Sequence, residues 1–183
     1  PFYLVQLPKI GNRSRWPEFR EAQQAGLVHH NTGMVVTLDQ GHPTDVHPRE
    51  KAVIGQRLAR LALAHTYGKQ LPAQSPMLAD YTWYKAERKI SCRFDHTYEG
   101  LSSKDHHLPK GISLQGYTEQ GTREGIIQPA NIRVEKDQII ITYPAGFLPT
   151  QVKYAWAPYP EHNLVNSAGL PLAPFKIELA GSN

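Results

Sequence analysis

The chain has 183 residues, room for one ordinary domain or two small ones, and its 40% apolar and 20% charged residues with 14 glycines and 15 prolines exclude a coiled coil, a collagen and a long disordered tail. No stretch reaches the run of about 18 to 20 apolar residues that a helical membrane span requires, the richest, Val53 to Ala64, being interrupted by arginines. Twenty Lys and Arg against sixteen Asp and Glu leave a charge of +4, but Arg13, Arg15, Arg88, Lys89, Arg93 and Lys110 are scattered rather than striped, so neither nucleic acid nor a membrane is an expected partner; the lone Cys92 excludes an internal disulfide and a Cys-based zinc site.

Phe2 to Leu7, a nearly continuous apolar run closed by Pro8, predicts a strand buried on both faces, as in a parallel sheet. The molecule opens directly on this run, without an initiator Met or a polar lead-in. That reads as an interior strand, and the expectation is a C-terminal piece of a longer polypeptide, with tag removal as the bland alternative. Trp16 to Ala25 follows a helical period with Pro17 at its first turn. Thr32 to Leu38 is a second buried strand whose C-terminal end delivers Asp39, Gln40 and Gly41. After a long loop, Pro48 is expected to start the clearest helix, on which Val53, Ile54, Arg57, Leu58, Leu61, Ala62 and His65 share one face and which Gly68 ends. The pattern is β-α-β-α.

Leu71 to Leu78, with Pro72 and Pro76 among small polar residues, has the composition of a linker. From Tyr81 onward the sequence alternates, and no helix is visible after Gly68. Six short strands are expected, near Tyr81, Ile90, Ile112, Ile132, Ile140 and Val152, with Glu135-Lys136-Asp137-Gln138 as a hairpin turn. The second region therefore reads as an antiparallel sandwich or partial barrel.

In an open parallel sheet, ligands bind where loops leave the carboxyl ends of the strands, and Asp39 to His47 is such a loop. His47 precedes Pro48 and is pushed to extended angles. In an extended segment residues i and i+2 project to the same side, so Asp45 can hydrogen-bond one imidazole nitrogen and leave the other facing the crevice. An imidazole oriented by a carboxylate is the part of a catalytic triad that activates a hydroxyl nucleophile. In the alternative reading, His47 merely caps the helix and Asp45 is a turn residue. None of the eight serines lies in a Gly-x-Ser-x-Gly elbow; Ser113, the nearest partial match, falls in an expected strand. The adjacent pairs His29-His30 and His106-His107 lack partners at ligand spacing, so no metal site is expected, and no cofactor is implied. Trp83, Tyr84, Trp156 and Tyr159 read either as core and cross-strand residues or as sugar-stacking platforms. Asn163 and Asn166 read either as turn residues or as sugar contacts.

Three segments carry a family resemblance. Gly33-Met-Val-Val-Thr-Leu-Asp39 followed by Asp45-Val-His47-Pro-Arg-Glu-Lys51 resembles the C-terminal catalytic block of the sialate O-acetylesterase family, within the SGNH hydrolase superfamily. Trp16-Pro-Glu-Phe-Arg-Glu-Ala-Gln23 is similar to that family's Trp-x-x-Leu-Arg-Glu-Ala-Gln helix. Tyr154-Ala-Trp-Ala-Pro-Tyr-Pro and Asn163-Leu-Val-Asn-Ser-Ala-Gly-Leu-Pro-Leu-Ala-Pro-Phe175 resemble its closing segment. The three occur in the family's order and span nearly the whole chain.

The resemblance implies an α/β fold, the C-terminal part of a flavodoxin-like SGNH hydrolase sheet followed by an antiparallel β-sandwich-like domain, divided as 1–70, a linker 71–78, and 79–183. It implies a serine esterase that removes O-acetyl groups from sugars, periplasmic or secreted. The family's Gly-Gln-Ser-Asn nucleophile motif lies upstream of the segment present here, so the serine and the oxyanion donors are expected on an N-terminal chain or segment that acts as an obligate partner. Two strands and two helices alone would leave sheet surface uncovered, which supports the same expectation. Many superfamily members carry Asp-x-x-His, but Thr44 occupies that acid's position here. Asp45 is then the orienter of His47, with Asp39 as the alternative acid. Gln6 and Gln23, one at a strand end and one on the first helix, read either as substrate-binding amides lining the crevice or as surface amides. An acetylxylan esterase of the same superfamily and a non-catalytic carbohydrate-binding β module are the competing readings.

Overall fold

The computed structural model describes residues 1–118 and 124–179. Strands β1 (Phe2–Val5) and β2 (Thr32–Val35) run parallel, Phe2 opposite Thr32 and Val5 opposite Val35. Helix α1 (Trp16–Ala25) lies between them in sequence and continues as a 3-10 turn, Gly26–Val28. Pro17 sits in the first turn of α1, where its missing N–H costs no hydrogen bond.

Helix α2 spans Lys51–His65, three residues later than Pro48 suggests. The Lys51 N–H instead donates to the Arg49 carbonyl at 2.9 Å, and Glu50 has ψ 65°, so Pro48 to Glu50 form a non-helical turn. The helix ends at His65, and the expected stop, Gly68, lies in the turn just beyond it. Its φ of +65° suits glycine, and the following Lys69 N–H reaches back to the Leu63 carbonyl at 2.9 Å.

Ten strands follow: β3 (Met77–Tyr84), β4 (Lys89–Asp95), β5 (Leu101–Ser103), β6 (Ile112–Thr118), β7 (Glu124–Ile127), β8 (Asn131–Glu135), β9 (Gln138–Thr142), β10 (Phe147–Tyr154), β11 (Leu164–Asn166) and β12 (Phe175–Glu178). They form two four-stranded antiparallel sheets, ordered β3-β4-β9-β8 and β12-β10-β6-β7, and the ribbon β5-β11. The turn at Lys136 and Asp137 joins β8 to β9, with Lys136 at φ +53°.

Period-two alternation puts Ile90, Cys92, Phe94, Ile139 and Ile141 on the inner face of one sheet. Ile112, Leu114, Val152, Tyr154, Phe175 and Ile177 face them from the other. The Phe94 and Phe175 rings meet across the gap with centroids 5.5 Å apart. Each fully buried aliphatic or aromatic side chain contributes roughly 1.5–3 kcal/mol, which makes this sandwich the main source of stability. Cys92 lies inside it, fully covered, and burial, helped by the Asp80 carboxylate, pushes its thiol up to about 12.

The parallel pair is not a separate layer. Met34, Val36 and Leu38 belong to the same core as the sandwich, while Val35, Leu61 and Ala73 pack with Tyr3 and Leu58 under α2. Strand β2 is thus buried on both faces, one against α2 and the other against the β region. The sandwich supplies the cover that two helices alone could not. The stretch from Leu71 to Leu78 is equally packed: Arg60 donates to the Pro72 carbonyl, and the Tyr98 hydroxyl accepts from the N–H groups of Ala73 and Gln74. The architecture is mixed α/β with two α-helices and several antiparallel sheets among the described residues. Two parallel strands are too few to define a flavodoxin-like order.

Candidate functional site

The carboxyl ends of β1 and β2 open into one loop system. After β2 the chain turns at Gln40, whose N–H donates to the Thr37 carbonyl. Gly41, at φ +116°, then passes against Lys9 so closely that a Cβ would lie 2.0 Å from the Lys9 carbonyl oxygen. Only glycine fits there. The Lys9 N–H donates to the Gln40 carbonyl and the Gly11 N–H to the Pro43 carbonyl, so the continuation of β1 holds the loop along its length.

This loop presents Asp45 and His47. The Asp45 carboxylate accepts the His47 backbone N–H at 2.9 Å and lies 3.4 Å from His47 Nδ1, an Asx-type turn that points base and acid the same way. The His47 N–H, then the imidazole itself and Arg49, hold the Asp45 carboxyl below the usual carboxylate range. The His47 side chain is 82% exposed, and no serine hydroxyl among the described residues contacts it.

Asp39 has a different partner. Both its oxygens engage Arg57 of α2, Nη1 at 2.7 Å and Nη2 at 2.5 Å, and the same guanidinium donates to the Val36 carbonyl at 2.8 Å. Burial raises the Asp39 carboxyl, but the Arg57 hydrogen bonds and charge outweigh it and hold it below its usual value. The structure therefore brings Asp45, and not Asp39, to His47.

The two candidate amides diverge. Gln23 is committed to the backbone of β1: its Oε1 accepts from the Leu7 N–H at 2.8 Å and its Nε2 donates to the Val5 carbonyl at 3.2 Å. It occupies the edge of β1 opposite β2. Gln6 is 0% exposed, and neither its Nε2 nor its Oε1 has a partner among the described residues. Sealed within this chain, the Gln6 side chain offers no surface for a substrate to touch.

Two residues at this end escaped the sequence reading. Arg20 of α1 is completely buried and donates to four carbonyls: Leu7 at 2.9 Å, Pro8 at 2.8 Å, Ala157 at 2.8 Å and Pro158 at 3.0 Å. It binds the end of β1 to the loop after β10, and desolvation lowers its pKa to about 10, which still leaves it charged at neutral pH. His162 lies beside the Leu38 carbonyl, near Lys9 and Asp39, with a buried Nδ1 lacking a partner; burial lowers its pKa. Nothing in its local sequence, Pro160-Glu161-His162-Asn163, signals that position. Asn163 and Asn166 are structural. Asn166 Nδ2 donates to the Gln74 and His96 carbonyls while Oδ1 accepts from the N–H groups of Ala168 and Leu170. Trp83 donates its indole N–H to the Tyr143 hydroxyl at 2.9 Å. No group of three His, Cys, Asp or Glu residues among the described ones is arranged to hold a metal ion.

No family model matches the chain, and no curated protein matches it. Among solved structures, it is similar to the crystal structure of a carbohydrate acetylesterase from Xanthomonas citri, with 30% sequence identity and a TM-score of 0.84 over 97% of this chain and 41% of that one. The chain thus spans less than half the length of that enzyme. The likeness is to a carbohydrate acetylesterase; no comparison reaches the sialate O-acetylesterase family by name.

Proposed function

We propose that this chain is the carboxyl-terminal part of a carbohydrate O-acetylesterase and supplies the base half of its active site. The observation that carries the reading is the Asp45–His47 pair, 3.4 Å apart on a loop at the carboxyl ends of two parallel strands. The acetylesterase likeness over nearly the whole chain supports it. His47 takes the proton of a serine hydroxyl as that oxygen attacks the acetyl carbonyl, then returns it to the departing sugar oxygen; water afterwards clears the acetyl-enzyme. Asp45 fixes the imidazole and stabilises its charged form.

The serine lies on an upstream segment or partner chain, whose sheet, of flavodoxin-like SGNH type, extends the parallel pair. The exposure of Phe2, 65%, at the start of β1 supports such a neighbour. The sugar, whether sialic acid, a xylan unit or another acetylated residue, is left to the substrate test.

The reading is tested on the assembly of this chain with its serine-bearing partner, by release of acetate from acetylated sugars. His47→Ala is expected to lower kcat by at least about a thousandfold. Asp45→Asn is expected to lower it by orders of magnitude, and Asp39→Asn to act through stability instead. Undiminished turnover by His47→Ala removes the catalytic reading and leaves the carbohydrate-binding module.

A further inference from the structure

The sandwich carries a cleft of about 420 Å³ where the start of β6 meets the end of β10. Its floor is conformationally specific. Ala155, 1% exposed, is held at φ +49°, a left-handed angle that is sterically strained for a residue other than glycine. The Ala155 N–H donates to the Gly111 carbonyl at 2.8 Å, and Gly111, at φ +90°, leaves no room for a Cβ, which would sit 2.5 Å from the Glu161 carbonyl oxygen. Strain of this kind persists only where the surroundings over-determine it, and it concentrates at binding sites.

The lining suits a sugar. Trp156 offers a ring, with the Lys176 ammonium 5.3 Å from its centroid, and Ser113, Gln128 and Glu161 offer hydrogen-bonding groups. Lys110 at the rim is paired with Asp105 at 3.3 Å, whereas Glu161 forms none of the ion pairs among the described residues. The local charge therefore disfavours an acidic ligand.

The rim is preorganised. Buried Asn163 donates to Asp105 at 2.7 Å and to the Leu108 carbonyl at 2.9 Å, and accepts from the Lys110 N–H at 2.8 Å. Beyond Pro109 lies a second, wider cleft of about 760 Å³, lined by Ser103, His107 and Arg133 among others. On its other side, the wall of the first cleft is the segment that Arg20 holds at Ala157 and Pro158 and that ends in His162 against Leu38.

We propose that the two clefts form one extended subsite for the neutral, hydroxyl-rich part of an oligosaccharide, whose esterified unit then lies toward His47. The ligand class rests on the acetylesterase reading, but binding can be read without hydrolysis. The 183-residue protein is titrated with xylohexaose, mannohexaose and 3′-sialyllactose, following the Trp156 indole and Gly111 amide signals by NMR. The expected result is saturable binding of at least one neutral hexaose, tighter than sialyllactose, and weakened about tenfold by Trp156→Ala. Gln128→Ala, at an exposed position, is expected to weaken it about threefold and carries the test if the tryptophan variant does not fold. No saturable binding of either hexaose, an equal or stronger response to sialyllactose, or indifference to both substitutions overturns the subsite. Hydrolysis of 4-nitrophenyl acetate by the complete assembly separates the two proposals: hexaose binding without hydrolysis removes the acetylesterase reading alone, and hydrolysis without hexaose binding removes the subsite alone.

Discussion

Asp39 keeps its charge at the end of a buried strand because Arg57 meets both of its oxygens. Its folded pKa lies below 3.8, so its contribution to stability is complete at pH values above that and is lost as the pH falls through the folded value. Asp39→Asn leaves Arg57 unpaired in a nearly buried position and is expected to cost about 3 kcal/mol at neutral pH. As the pH falls below 3.8 the gap in thermal stability between the two proteins should narrow, which melting curves at successively lower pH check. At this scale the sequence was informative where chemistry is local: the Asp45 and His47 contact follows from i, i+2 geometry. It was uninformative where partners are distant. Nothing near Gln6 shows that its amide is sealed away, because burial there depends on residues far along the chain.

Helices α1 and α2 were legible from apolar period and from Pro17 and Gly68, whose conformational habits are fixed by their own covalent structure. The start of α2 was not, since a proline is as acceptable in the turn before a helix as in its first turn. All six expected strands are present, and the four others fall into two kinds. β5, β7 and β11 are three or four residues long with no alternation to read. β12 does alternate, Phe175 and Ile177 inward and Lys176 and Glu178 outward, so its sequence carries a strand signal. The tie between elements was hidden altogether. Arg20 on α1 reads as one more surface cation, yet it gathers four carbonyls from the first strand's exit and the loop after β10. Arg20→Ala strands those acceptors and is expected to destabilise the protein by at least about 3 kcal/mol in denaturant titration. Arg20→Lys, with three donors on one point, should recover only part of it.

The whole molecule has a core that runs without interruption from β2 through both sheets of the sandwich. A division after residue 78 follows composition, whereas packing joins the two parts through Met34, Val36, Leu38 and the Arg20 bonds. Cooperative unfolding as one unit is the expectation that follows. Cys92 makes this measurable without any engineered probe. Because the sulfur is sealed in the centre of β4 and its thiolate is suppressed, iodoacetamide can modify it only in molecules that have opened the sandwich. If the parallel strands and the sandwich open together, the labelling midpoint in urea should coincide with the loss of helical circular dichroism; labelling that lags behind the helices would mean that the two halves let go separately. The solitary cysteine thus serves as an intrinsic clock for how tightly the two halves are bound into one cooperative body.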